Sequence, residues 1–323
     1  MDLSYLLWLQ DLRAALGGAL DGFFLVVSEL GEAVLPLLIA CGIYWCLNKR
    51  AGLYLFFTCN VGDLINGVLK LSCCVYRPWI RDARITPVEG ALEGATGYSF
   101  PSGHSTKAVT AYGGLAVQSR GRKGAVAALI VLILLIMFSR NYLGVHTPQD
   151  VLAGAASGLA ALYLMGAVLR WAESARGRDL WVAGAGLALC AAAIVYVSLK
   201  PYPLDYVDGA LLVDPVRMQP DTYSAAGAVI GLLIGWLWER RYVRFETAGS
   251  VGTKLLRFAS GVAVLVILFF GARKGLIALL GRNWGSLLGA MLPVLYAVAA
   301  HPLLFTRVEN RAGRKAEREQ ARA

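Results

Sequence analysis

The chain predicts an all-α, polytopic transmembrane helix bundle of about nine spans, and three observations carry that prediction. Hydrophobic residues make up 57% of the 323 and charged residues only 16%, and the mean hydropathy is +0.58. That is too apolar for a soluble domain, which must present a polar surface. Apolar runs of about the length that a hydrocarbon core demands recur along the whole sequence. Finally, cations gather in the short breaks between those runs, as in Asn48-Lys49-Arg50, Arg120-Gly121-Arg122-Lys123 and Arg240-Arg241. That is how loops facing anionic cytoplasmic lipid look. The formal charge of +10 therefore points to a lipid bilayer as partner and not to nucleic acid.

In chain order, residues 1–19 set Leu3, Leu6, Leu7, Leu9 and Leu12 against Asp2, Gln10, Asp11 and Arg13. This predicts an amphipathic interfacial helix, too short to span. Arg13 is the earliest cation, so no cleavable signal is expected. The first long apolar run, 20–47, is interrupted by Glu29, Glu32 and Pro36. Further spans are expected at 51–72, 104–119, 124–139, 148–169, 179–199, 222–239, 252–272 and 284–305. The second carries Asn60, Asp63 and Asn66, and the third is short and rich in small residues. Gly154 with Gly158, and Gly227 with Gly231 and Gly235, repeat every four residues and predict close helix packing. Residues 307–323 predict a basic, solvated tail. The six cysteines all lie in apolar segments without metal-ligand spacing, which predicts packing roles and no disulfide framework.

Alternate breaks, together with the tail, carry most of the 31 Lys and Arg. The positive-inside rule then places the C-terminus in the cytoplasm and the N-terminal helix outside. Residues 73–103 and 140–147 share the outer side.

Those outer breaks hold the reactive groups. Lys70 and Arg77-Pro78 lie at the end of the second span. Pro101-Ser102-Gly103-His104 precedes the third, where free backbone N–H groups and a helix dipole suit an anion, although Ser102 also reads as a plain cap. Ser139-Arg140 follows the apolar run 125–138, and Arg140 adds a planar donor fork suited to phosphate oxygens. Thr147-Pro148 has the form of a helix start. Asp150 falls one turn after His146, where its carboxylate can fix the imidazole tautomer or close a capping box with Thr147. Two of the three histidines, His104 and His146, fall in these breaks. The third, His301, reads as structural. Lys70, Arg77, Arg140, the Ser102-Gly103 turn and two imidazoles on one membrane face form a composition for holding and transferring a phosphoryl group.

The set Lys70-x6-Arg77-Pro78, Pro101-Ser102-Gly103-His104 and Ser139-Arg140-x5-His146-x3-Asp150 resembles the complete three-part signature of the type 2 phosphatidic acid phosphatase superfamily. Its members include membrane lipid phosphatases, glucose-6-phosphatases and vanadium haloperoxidases. The resemblance implies that His146 attacks phosphorus while Asp150 holds its ring. His104 would protonate the leaving oxygen and then activate water. Lys70, Arg77, Ser102, Gly103 and Arg140 would bind the phosphoryl oxygens, and neither metal nor cofactor is implied. The match covers residues 70–150 directly. It makes 20–170 the expected phosphatase core and 171–306 a set of additional transmembrane helices. Asp63, Asn66, Arg81, Arg84 and Tyr142 are further candidates for head-group contacts.

A site at the extracytoplasmic surface of a cell membrane suits a lipid phosphate or diphosphate, such as phosphatidic acid, phosphatidylglycerophosphate or undecaprenyl diphosphate. The nine-span count is similar to the glucose-6-phosphatase arrangement, so a soluble phosphate ester stays open. A haloperoxidase is disfavoured because those enzymes are largely soluble. A non-enzymatic lipid transporter or binding protein would not need both His104 and His146.

Overall fold

The computed structural model describes residues 3–32, 34–207 and 209–320, with backbone alone for 312–320. Met1 and Asp2 of the expected surface helix, and the last three residues of the expected tail, lie outside the described residues. Helix dominates throughout.

Helix α1 (Ser4–Ala15) is the short element expected at the start. Its Leu6 and Leu9 pack on Ile85, and Gln10 exchanges hydrogen bonds with the backbone of Arg84 and Thr86 at 3.0 and 2.7 Å. The face expected to rest on lipid is thus partly spent on the chain's own 82–102 loop.

The first apolar run is not one straight span. Helices α2 (Asp21–Glu29) and α3 (Val34–Gly42, continued by a wide turn over Ile43–Leu47) are bent by 45°. Helix α4 (Lys49–Cys73) opens on Asn48, whose Oδ1 accepts from the Ala51 N–H. It stops at Cys74, left-handed with φ 49°, which turns the chain into the loop carrying α5 (Pro78–Arg81). Helices α6 (Gly103–Ala108) and α7 (Gly114–Gln118) are joined by one wide turn into a short pass. Helix α8 (Lys123–Tyr142) outruns its apolar stretch, so Ser139 and Arg140 lie in its last turn and not beyond it.

Helices α9 (Pro148–Glu173) and α10 (Arg178–Leu199) follow as expected. A two-residue strand pair, β1 (Tyr206–Val207) with β2 (Ala210–Leu211), is the departure from an all-α chain among the described residues. Then come α11 (Gln219–Trp238), α12 (Val251–Val266), α13 (Arg273–Leu295) and α14 (His301–Gln320). Helix continues from Val251 to Arg311 except at Gly281 (φ 77°, ψ 171°), a conformation open to glycine alone. There the chain folds back, and Gly285 comes so close to Ile277 that an added Cβ would lie 2.4 Å from its Cα.

Among the described residues, five helical stretches are long and apolar enough to cross a membrane, six if α2 and α3 count as one. The chain is a membrane protein. Its two halves share one core. Trp45 Nε1 donates to Ala297 O at 2.7 Å, and Tyr44 Oη donates to Val298 O at 3.0 Å. The four-residue glycine repeat is where backbones meet. A Cβ at Gly227 would lie 2.1 Å from Leu287 O, so α11 and α13 touch without intervening side chains. His301 is 3% exposed, with Nε2 2.8 Å from Arg257 O and Nδ1 3.1 Å from Tyr296 Oη, as expected of a packing residue.

Candidate active site

The site begins at the start of α9. Thr147 Oγ1 accepts from the Asp150 N–H at 3.3 Å, and Asp150 Oδ2 accepts from the Thr147 N–H at 2.7 Å, closing a capping box with Pro148 at the first helical position. This fixes Asp150, fully buried, directly behind His146. The carboxylate does not grip the ring directly, because its Oδ2 is 3.6 Å from Nδ1, beyond hydrogen-bond length. Ser99 closes the gap. Its Oγ donates to Asp150 Oδ2 at 2.6 Å and stands 3.3 Å from His146 Nδ1. Capping box and ring orientation, alternatives in the sequence, coexist on one carboxylate through this hydroxyl.

On the other side of the ring, Arg77 Nη1 lies 2.9 Å from His146 Nε2. Arg77 is itself held by three backbone carbonyls, those of Thr96, Gly97 and Val145, at 2.9, 3.1 and 3.0 Å. A guanidinium can only donate, so Nε2 is the accepting, unprotonated nitrogen and Nδ1 carries the proton toward Ser99. Burial first, then the Arg77, Arg140 and Lys70 cations, push the His146 pKa well below the ordinary imidazole value. The ring is therefore uncharged at neutral pH, the form a nucleophile requires.

His104 occupies the first turn of α6, and its Nε2 lies 2.8 Å from Glu32 Oε1. Two glycines make room for the ring. A Cβ at Gly31 would lie 3.3 Å from its Cδ2, and one at Gly94 3.7 Å from its Cε1. One cavity of about 480 Å³ is lined by Lys70, Arg77, Gly103, His104 and His146, with Glu32 beside them.

Two expected phosphate ligands are placed differently. The Ser102 Oγ accepts from Ser105 N and Oγ at 3.4 and 3.0 Å, so this hydroxyl caps α6. The Ser102 N–H is taken by Asp150 O at 2.9 Å. Arg140, 2% exposed, donates through Nη1 to Ser28 Oγ and does not line the cavity, but its Nε and Nη2 have no hydrogen-bond partner among the described residues. Buried donors of that kind are costly unless matched, and an anion's oxygens would match them.

Of the weaker candidates, Asp63 and Asn66 line the cavity. Asn66 Nδ2 also donates to Thr106 Oγ1 at 3.1 Å. Arg84 pairs with Asp82 at the surface, Tyr142 Oη donates to Asp21 Oδ1 at 3.0 Å, and Arg81 lies in α5 outside the cavity lining. Sequence reasoning missed Ser99, Glu32 as a partner of His104, and Lys107, Asp221 and Arg273 in the lining. For the charged residues the available signal was a charge in or beside an apolar run, whereas nothing in the sequence around Ser99 singled it out.

An apolar helix bundle thus gathers two imidazoles and the cations of Lys70, Arg77, Lys107 and Arg273 around one cavity. Residues 51–174 match the PAP2 superfamily, and residues 223–314 match the PAP2 superfamily phosphatase, transmembrane extension. The chain is 31% identical over 151 residues to phosphatidylglycerophosphatase B of Bacillus subtilis (strain 168), spanning 43% of this chain and 70% of that protein. It is 30% identical over 168 residues to lipid phosphate phosphatase delta of Arabidopsis thaliana, spanning 46% of this chain but only 38% of that protein. This chain belongs to the PAP2 superfamily. No solved structure matches it.

Proposed function

We propose that the chain is a membrane lipid phosphatase that hydrolyses a lipid phosphate monoester or diphosphate through a phosphohistidine, without a metal. In this reading His146 Nε2 attacks phosphorus and the P–O bond to the lipid breaks. His104 gives its proton to the departing oxygen. Water then attacks the phosphohistidine, His104 takes the water's proton, the P–N bond breaks and inorganic phosphate leaves. Lys70, Arg77, the Gly103 end of α6 and the unmatched donors of Arg140 stabilise the phosphoryl oxygens as charge shifts among them. Ser102 supports this cradle as the cap of α6.

The observation that carries the reading is that His104, His146, Lys70 and Arg77, far apart in sequence, line one cavity. The two relatives, named for phosphatidylglycerophosphate and lipid phosphate, favour a lipid over a soluble ester. Candidate substrates are phosphatidic acid, phosphatidylglycerophosphate and undecaprenyl diphosphate.

We read the chain as a phosphatase core over 20–170 followed by extension helices over 171–306, with nine passes through a cell membrane. The site then faces the extracytoplasmic side and the C-terminus the cytoplasm. Phosphate release from these lipids by purified protein in detergent containing a chelator tests the chemistry. Activity should survive the chelator and vanish in His146→Ala and His104→Ala, whereas a fully active His146→Ala protein would sink the reading. Protease protection of the C-terminal tail tests the orientation.

A further inference from the structure

The cavity continues well past the phosphate end. Along α4 its lining descends from Lys70 through Asn66 and Asp63 to Phe56 and Leu55, a drop of about 22 Å at the helical rise. Polar lining gathers at the top, where Lys107, Asp221 and Arg273 join the site. Below them the walls are apolar, with Leu37, Leu38 and Ala40 from α3 facing Val262 and Leu265 from α12, and with Val294 from α13. One wall of this lower chamber therefore comes from residues 223–314, the extension that lies beyond the phosphatase core.

Val34 on α3, Val266 on α12 and Phe270 just beyond α12 line the cavity and yet are 50, 50 and 57% exposed. Residues that are both lining and outward-facing mark a side opening, here between α3 and the α12 end of the extension, toward lipid. A surface continuous with a phosphate-type site at one end, apolar at the other and open sideways fits one kind of occupant.

We propose that the extension builds the tail subsite of the enzyme. A hydrocarbon chain of the substrate enters between α3 and α12 and lies against Val262 and Leu265 while its phosphate reaches His146. This rests on the lipid-phosphatase reading and assigns the extension a role in choosing substrates by their chains. Because the chain enters from lipid, which is as apolar as the chamber, the preference comes from packing contacts along the walls that only a long chain reaches, so the lower chamber would favour long-chain lipids over short ones.

The test compares long-chain dioleoyl phosphatidic acid with short-chain dihexanoyl phosphatidic acid, both in detergent with the full-length protein. Val262→Trp, which fills the lower chamber, should lower kcat/KM for the dioleoyl lipid by at least about tenfold, chiefly through KM. Its loss on the dihexanoyl lipid should be several-fold smaller. Phe269 also lines the cavity, and Phe269→Ala, which enlarges it and adds no bulk, should shift the long-to-short ratio by about threefold or more and decides the matter if Val262→Trp does not fold. An unchanged ratio in Phe269→Ala, or equal losses on both lipids in a folded Val262→Trp, would overturn the subsite while leaving the phosphatase reading intact. A wild-type protein inert toward both lipids would remove both.

Discussion

Two buried arginines stand near opposite ends of this bundle, and their surroundings differ in kind. Arg257, with 5% of its side chain exposed, has all five N–H donors matched. Glu309 accepts from Nε and Nη2 at 2.7 and 2.6 Å, and the carbonyls of Trp45, Glu246 and Ala248 accept the rest at 3.3, 3.1 and 3.0 Å. Arg140 is as deeply buried, but among the described residues its side chain donates only to Ser28, and Nε and Nη2 stay unmatched. The matched cation ties α12 to α14 and to the end of α3. The unmatched one lies in the last turn of α8, and its backbone carbonyl accepts from the His146 N–H at 3.2 Å. A buried donor set left incomplete calls for an explanation that a completed one does not.

The largest effect is expected at His146, where His146→Ala should lower phosphatase activity on the order of 10⁴-fold with the melting temperature in detergent essentially unchanged. Next, Arg257→Ala should cost about 3 kcal/mol of stability, because it leaves a carboxylate and three carbonyls without their partner. It should leave activity per folded molecule intact, as read by thermal melting beside a specific-activity assay.

Arg140→Ala should do the reverse, losing about 10²-fold in kcat without a lower melting temperature. Arg140→Lys should restore little, since a lysine lacks the planar fork. If Arg140→Ala melted as early as Arg257→Ala, the distinction between the two arginines would fall. The smallest effect is expected at Ser99. Ser99→Ala should reduce activity by about tenfold by leaving Asp150 3.6 Å from the ring it orients, and Ser99→Thr should recover most of the loss.

Much of this was legible because it is local. The apolar run of α8, the Thr147 cap and the glycine repeat of α11 each act within a few residues, so reading the chain in order finds them. The roles that escaped are long-range. Ser99 bridges to a carboxylate on α9, Glu32 reaches His104 across the break between α2 and α3, and Arg140 is turned toward Ser28 on α2. No spacing rule links residues so distant. The bend between α2 and α3 escaped for the same reason, because hydropathy reports that a run is apolar and not whether it is straight.

By itself, then, the sequence determined that the chain lives in a membrane, roughly where its helices begin and end, and which residue types are fit for phosphoryl chemistry. Hydropathy and capping are properties of neighbours along the chain, and they survive whatever the fold does with them. Tertiary structure alone decided which donors are satisfied and which are left over, how the His146 ring is oriented, and that α12 closes a chamber begun by α3 and α4. Hydrogen-bond satisfaction and cavity shape depend on what packs opposite, and that is settled only when distant helices meet.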